Sequence, residues 1–126
     1  MADDFDVLIV GGGVAGMTAG MYAANYGLRT GIVEQMMGGA SIINIEKIDN
    51  FPGFPEGISG AELGPAVMEQ AMNAGADFIM GETSGITKDG DYRVVSSDAG
   101  DLRAKAVIIA AGSTLRQLGI PGEEEY

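Results

Sequence analysis

Three glycines and one acid carry the chemistry that can be read first. Gly11, Gly13 and Gly16 form a Gly-x-Gly-x-x-Gly run, and Glu34 follows 18 residues after the last of them. Each glycine answers a separate physical need. Gly11 permits a tight turn, Gly13 lets backbone approach a diphosphate with no Cβ in the way, and Gly16 lets a helix pack closely on a strand. A helix opening at this point turns free N–H groups and a partial positive charge toward an anion. The carboxylate of Glu34 can accept hydrogen bonds from an adenosine ribose and would repel a 2′-phosphate, and the neighbouring Gln35 brings no compensating cation. The pattern therefore points to FAD or NAD in preference to NADP, and by itself does not separate FAD from NAD.

The elements needed to position these residues are legible around them. Asp6–Val10 reads as a strand whose apolar run Val7–Val10 does not alternate, as expected when both faces are covered. Val14–Tyr26 reads as a helix, rich in small residues and ended by Gly27. Thr30–Val33 reads as a second strand, so that Glu34 stands at its end. Together they form one βαβ unit with a right-handed crossover. The segment 36–55 lacks regular pattern, and a loop of that length in a compact domain is usually functional. Ser59 and Glu62 then have capping-box spacing ahead of a helix over 61–74, with Gly75 after it. Beyond it the period changes to two. Phe78–Ile86, Tyr92–Ser96 and Leu102–Ala104 read as an antiparallel meander with hairpin turns at 88–91 and 98–101. Ala106–Ala110 reads as a separate, buried parallel strand, and 119–126 as a linker. The pairs Met17/Met21 and Met68/Met72 read as core packing.

Composition narrows the function classes. The 126 residues suit one domain. A net charge of −11 from 18 acidic and 7 basic side chains repels nucleic-acid backbones and anionic lipid. Nucleic-acid and membrane partners are therefore not expected, and an anionic cofactor has to be held by main-chain amides. Cys and His are both absent, which excludes a disulfide, a thiolate or imidazole metal site, and a His-based triad within this chain. No metal site is expected, and no side chain has a visible activating partner, so no catalytic residue is named. No segment has transmembrane length, the first residues are unlike a secretory signal, and a cytoplasmic location is expected.

Five ordered stretches together resemble the FAD region of a known family. They are Asp6 to Gly16, the pair Gly38-Gly39, Ile48-Asp49-Asn50-Phe51-Pro52-Gly53-Phe54-Pro55, Ala106 to Gly112, and Leu118-Gly119-Ile120-Pro121-Gly122-Glu123-Glu124. The pattern is similar to the N-terminal FAD-binding part of low-molecular-weight thioredoxin reductases. Their relatives without active-site cysteines, the ferredoxin/flavodoxin NADP reductases of the same type, look alike over this region. The resemblance implies an α/β, Rossmann-like FAD/NAD(P)-binding parallel sheet with helices and a small antiparallel meander. It implies FAD as cofactor, held by Gly11, Gly12, Gly13, Val14, Ala15 and Gly16 at the diphosphate and by Glu34 and Gln35 at the adenosine ribose. It also implies that Gly38, Gly39 and Asn50 lie near the flavin, that the backbone at Ile86 faces adenine, and that Ala111 and Gly112 close over the cofactor. Val14 stands where the family usually has Pro, Ala40 where it has Gln, and Ala111 where it has Thr.

Family members run more than twice as far. The chain is accordingly expected to be a truncated portion, with 1–118 as FAD-binding domain and 119–126 leading toward a missing NAD(P)H domain. The reaction implied for the intact enzyme is NAD(P)H-dependent disulfide reduction, with a redox protein as partner and homodimerisation left open. A stand-alone nucleotide-binding module, an NAD-binding dehydrogenase domain and a cofactor-free interaction protein are the competing expectations.

Overall fold

A computed structural model describes residues 4–36, 41–113 and 119–122. In chain order it contains β1 (Phe5–Val10), α1 (Val14–Asn25), β2 (Thr30–Glu34), α2 (Gly60–Ala74), β3 (Asp77–Met80), β4 (Thr83–Asp89), β5 (Tyr92–Ser97) and β6 (Gly100–Ile109). The strands make one sheet in the order β3-β2-β1-β6-β5-β4. The first four of that order are parallel and β6, β5 and β4 are antiparallel. The mixed α/β fold expected from the sequence is the fold observed.

β1 is apolar from Val7 to Val10 because both of its faces are covered there. Ile9 and Ile32 pack with Met17 of α1 and with Leu63, Val67 and Ala71 of α2. Leu8, Val10 and Val33 point the other way and pack with Val95 of β5 and Ala104 of β6. Successive strand residues thus feed two cores, one under the helices and one under the meander. Small residues on α1 set the distance of the first core. A Cβ on Gly20 would stand 2.5 Å from Cδ1 of Ile32.

Two strand assignments made from periodicity are corrected. The single strand expected over 78–86 is two strands, β3 and β4, separated by Gly81 and Glu82. The sequence pattern did not reveal the break, because no proline or strong turn pair marks it. At Gly81 the chain passes close to Asp98 and Ala99, where a Cβ would lie 3.0 and 3.2 Å from their atoms, and the Glu82 amide donates to Oδ1 of Asp98 at 2.7 Å. With only two residues joining them, β3 and β4 nevertheless sit at opposite ends of the strand order. The sheet therefore folds back over itself and lays the meander across β1 and β2.

The second correction concerns β6. The runs 102–104 and 106–110, expected as separate strands, form one continuous strand. Its first half pairs with β5 as far as Ala104, and its second half pairs with β1 from Ala104 to Ile109. Nor is the second half buried: Ile108 is 41 % and Ile109 70 % exposed. Past Ala104, β5 has ended and no described strand lies on that side of β6. An apolar run alone cannot report whether a covering layer exists.

Smaller expectations fared unevenly. Both hairpin turns form, with Gly90 (φ 61°) and Gly100 (φ 109°) at the tips. Met17 is buried, and Met21 and Met68 pack against the helix-side core, but Met72 is 53 % exposed. Asp6 lies within β1, where its carboxylate accepts the Arg29 amide at 2.7 Å and pairs with Lys105 of β6 at 3.5 Å. The hydrogen bond from the Arg29 backbone N–H first, and the lysine second, hold the Asp6 carboxyl below its ordinary range.

Candidate functional site

The parallel strands all point their carboxyl ends at one place. There β1 runs into the glycine loop, β2 ends at Glu34, and β6 runs into Ala110–Ser113. β1 has its chain successor β2 on one side and β6 on the other. In sheets of this kind the crevice outside such a switch of direction is where ligands bind.

The loop is built from contacts that exclude side chains. Gly11 has φ 114°, and a Cβ there would come within 1.9 Å of the Ala110 carbonyl oxygen. A Cβ on Gly12 would meet Glu34 Cβ at 2.7 Å, and one on Gly16 would meet the Gly11 carbonyl oxygen at 1.8 Å. Gly13 is different: a Cβ there meets nothing within 4 Å. The other three glycines are demanded by the protein itself. At Gly13 the protein makes no such demand, and the space in front of it is open.

Glu34 is fixed in place by main-chain donors. The Gly12 amide donates to Oε2 at 2.7 Å, and the Gln35 and Met36 amides donate to Oε1 at 2.8 and 3.3 Å. The carboxylate thus ties the end of β2 to the glycine loop. A carboxylate offers about four acceptor positions, so with three in use about one remains for an outside donor. The Glu34 carbonyl also accepts the Gly81 amide at 3.0 Å, which fastens β2 to the start of the meander crossing.

The start of α1 is left without a side-chain cap. Gly13 occupies the N-cap position with extended backbone, no side chain caps it, and the first turn carries no acid. An α-helix leaves four amides unsatisfied at its start, and only an external acceptor or solvent can serve them here.

A cleft of about 200 Å³ opens over this region. Gly13, Glu34, Gln35, Ala111 and Gly112 line it, so the structure brings together five of the residues singled out in the sequence. Val14 and Ala15 begin α1 directly beside it. Asn50 and Ile86 are not among its lining residues. Asn50 is exposed in the loop between the isolated β-bridge partners Ile48 and Ile58. Ile86 faces a different cleft with Arg93 and Lys105. Gly38 and Gly39 lie outside the described residues. The sequence reading missed Met36, Ser41, Ala110 and Ser113, which also line the cleft. Adjacency to Gln35, Ala111 and Gly112 was the available signal for Met36, Ala110 and Ser113. Small-molecule sites commonly hold roughly 300–1,000 Å³, so this cleft accommodates part of a dinucleotide. No group of three or more metal-ligating side chains is found among the described residues.

A glycine loop at the carboxyl ends of parallel strands, an uncapped helix start and an acid at the end of the second strand are features that α/β domains of the Rossmann-like class share. Comparison with known proteins narrows this class. Residues 5–126 match the family described as pyridine nucleotide-disulphide oxidoreductase, and the chain belongs to that family. Within it, the chain is 39% identical to a thioredoxin reductase of Bacillus subtilis (strain 168) over 121 residues, 96% of this chain and 38% of the relative. A crystal structure of Lactococcus lactis thioredoxin reductase superposes with a TM-score of 0.89 at 39% identity, covering 97% of this chain and 40% of that one. The T. acidophilum thioredoxin reductase structure gives 0.89 at 34%, covering 98% and 40%. The chain therefore spans about two-fifths of the length of these relatives.

Proposed function

We propose that this chain is the FAD-binding portion of an NAD(P)H-dependent, thioredoxin-reductase-like disulfide oxidoreductase of the cytoplasm. Residues 1–118 form the cofactor domain, and 119–126 lead toward a nicotinamide-binding domain. The observation that carries the reading is the pairing of an uncapped α1 start, open at Gly13, with a Glu34 carboxylate held 2.7 Å from the Gly12 amide. One feature suits a diphosphate and the other a ribose, and the loop joins them.

The residues fit the cofactor through the donors they offer. The amides of Gly13–Gly16 face the diphosphate, replacing the Lys or Arg that this acidic chain does not bring to the cleft. Glu34 uses its remaining acceptor position for the adenosine ribose, and Gln35 leaves a 2′-phosphate unneutralised. Ala111 and Gly112 border the opening on the β6 side, while Gly38 and Gly39 serve the flavin end. FAD, when bound, supplies the hydride and electron transfer chemistry, and the domain supplies binding and orientation. With no Cys in the chain, a dithiol for disulfide reduction has to come from elsewhere in the intact enzyme. The chain alone is therefore inactive in that reaction, and a redox protein is the partner of the whole.

Titration of the purified chain with FAD, followed by its absorption and fluorescence, tests the reading. Saturable binding that ADP competes away is the expected result. Glu34→Ala is expected to weaken both ligands by about tenfold, the value of one hydrogen bond to a charged group. A folded chain that binds neither FAD nor ADP overturns the assignment.

A further inference from the structure

The sequence holds one Asp–Gly bond, Asp89–Gly90, and no Asn–Gly bond. It stands at the tip of the β4–β5 hairpin. Asp89 pairs in register with Tyr92, so the loop has two residues, with Gly90 first at φ 61°, as a type II′ turn requires. Gly90 has no Cβ to shield its nitrogen, and its N–H donates to no group among the described residues. The Asp89 side chain is 60 % exposed. An exposed aspartate followed by a free, unshielded amide is the pair of groups that closes a succinimide ring. The carboxylate, however, is held elsewhere. Its Oδ2 accepts Nη1 of Arg103 at 2.6 Å. Arg103 is itself fixed: its guanidinium lies over the Tyr92 ring, 4.5 Å from the centroid, and its Nε lies 3.6 Å from Oδ1 of Asp4. We propose that Asp89 is a latent site of isomerisation to isoaspartate, which the Arg103 clamp holds closed.

The carboxyl reacts in its protonated form. Ring closure makes a bond from the Gly90 nitrogen to Cγ of Asp89 and releases one water, formed from the carboxyl O–H and the amide hydrogen. A second water then opens the ring. Attack at Cγ restores aspartate, and attack at the main-chain carbonyl carbon gives isoaspartate, with the chain running through Cβ. Mass is unchanged and no oxidant or cofactor takes part. Geometry decides whether the ring can close. Asp89 pairs with Tyr92 and Val94 with Arg103, so alternation puts Asp89, Tyr92 and Arg103 on one face of the meander. The clamp draws the carboxylate across β5 toward β6, whereas ring closure needs it turned along its own chain onto Gly90. In isoaspartate the main chain gains a methylene and the carboxylate sits directly on Cα, so the Asp89–Tyr92 register and the Arg103 pair are both lost.

The test incubates the folded full chain at neutral pH and reads isoaspartate by electron-transfer fragmentation of the proteolytic peptide that contains Asp89. A synthetic peptide of residues 86–93, which lacks the clamp, sets the unrestrained rate. The wild-type chain is expected to convert more slowly than this peptide. Arg103→Gln is expected to convert about three- to fivefold faster than wild type, the range that the strength of an exposed ion pair allows. Added salt screens such a pair, so it is expected to speed the wild-type chain and leave Arg103→Gln unchanged. The salt series needs no variant to fold. Asp89→Glu keeps a carboxylate for Arg103 but would have to close a larger ring, and is expected to give no isomer at this position. Equal rates in wild type and Arg103→Gln, or a wild-type rate that salt does not move, overturn the clamp. Absence of isoaspartate at position 89 in Arg103→Gln, while the peptide converts, overturns the site itself.

Discussion

The two helices lie on the same face of the sheet and share one core, yet they begin in opposite ways. α2 opens on Ser59, whose Oγ accepts the Glu62 amide at 3.2 Å, and Glu62 brings an acid into the first turn. Its start is satisfied, chemically and electrostatically, by its own sequence. α1 opens on Gly13 with neither a side-chain cap nor an acid. Both arrangements make a helix, and α1 can leave its start open because packing holds it: Met17 is fully buried and Gly20 sits tightly against Ile32. The difference teaches that a helix start can go without a cap of its own where packing holds the helix, which leaves its amides to solvent or to an acceptor outside the chain.

Substitutions can break or sharpen this contrast. The largest effect is expected from Gly16→Ala. Its Cβ would sit 1.8 Å from the Gly11 carbonyl oxygen, and the required rearrangement should cost about 3 kcal/mol or more, measured by urea unfolding. Gly13→Asp would give α1 the kind of start that α2 has. It should stabilise the ligand-free chain by roughly a few tenths of a kcal/mol, while placing a negative charge where the diphosphate would lie. FAD affinity in the titration should then fall by roughly tenfold or more. Equal FAD affinity in this variant would show that the open start of α1 has no role in binding. Ser59→Ala should cost about 1 kcal/mol in unfolding free energy and leave nucleotide affinity unchanged. Glu62→Gln should cost only about 0.3–1 kcal/mol through the helix dipole, diminishing as salt is raised.

Much of the site was legible because its requirements are local. The spacing of Gly11, Gly13 and Gly16 between a strand and a helix reports steric exclusions that the coordinates bear out at Gly11 and Gly16. The position of Glu34 follows from the length of the βαβ unit. The capping box at Ser59 is a short-range signal of the same kind. What escaped detection depends on distant chain. Gly81 breaks an apparently continuous strand because Asp98 and Ala99, far along in sequence, crowd it. The exposure of Ile108 and Ile109 depends on what packs over that end of β6, which the run itself does not encode. Asn50 and Ile86 were singled out by resemblance, with no local rule to fix their distance from the cleft. The link from Gly12 to Glu34 joins two recognised positions, but only folding showed that the acid steadies the loop as well as facing the crevice.

β6 has a consequence for how the domain comes apart. Its ten residues give their first half to β5 and their second to β1, so the meander and the parallel layer are written on a single ribbon. Melting either one strips hydrogen bonds from the other and uncovers Leu8, Val33 and Val95 together. Heating should accordingly produce one heat-absorption peak, with calorimetric and van't Hoff enthalpies in agreement, and no state in which one layer survives the loss of the other.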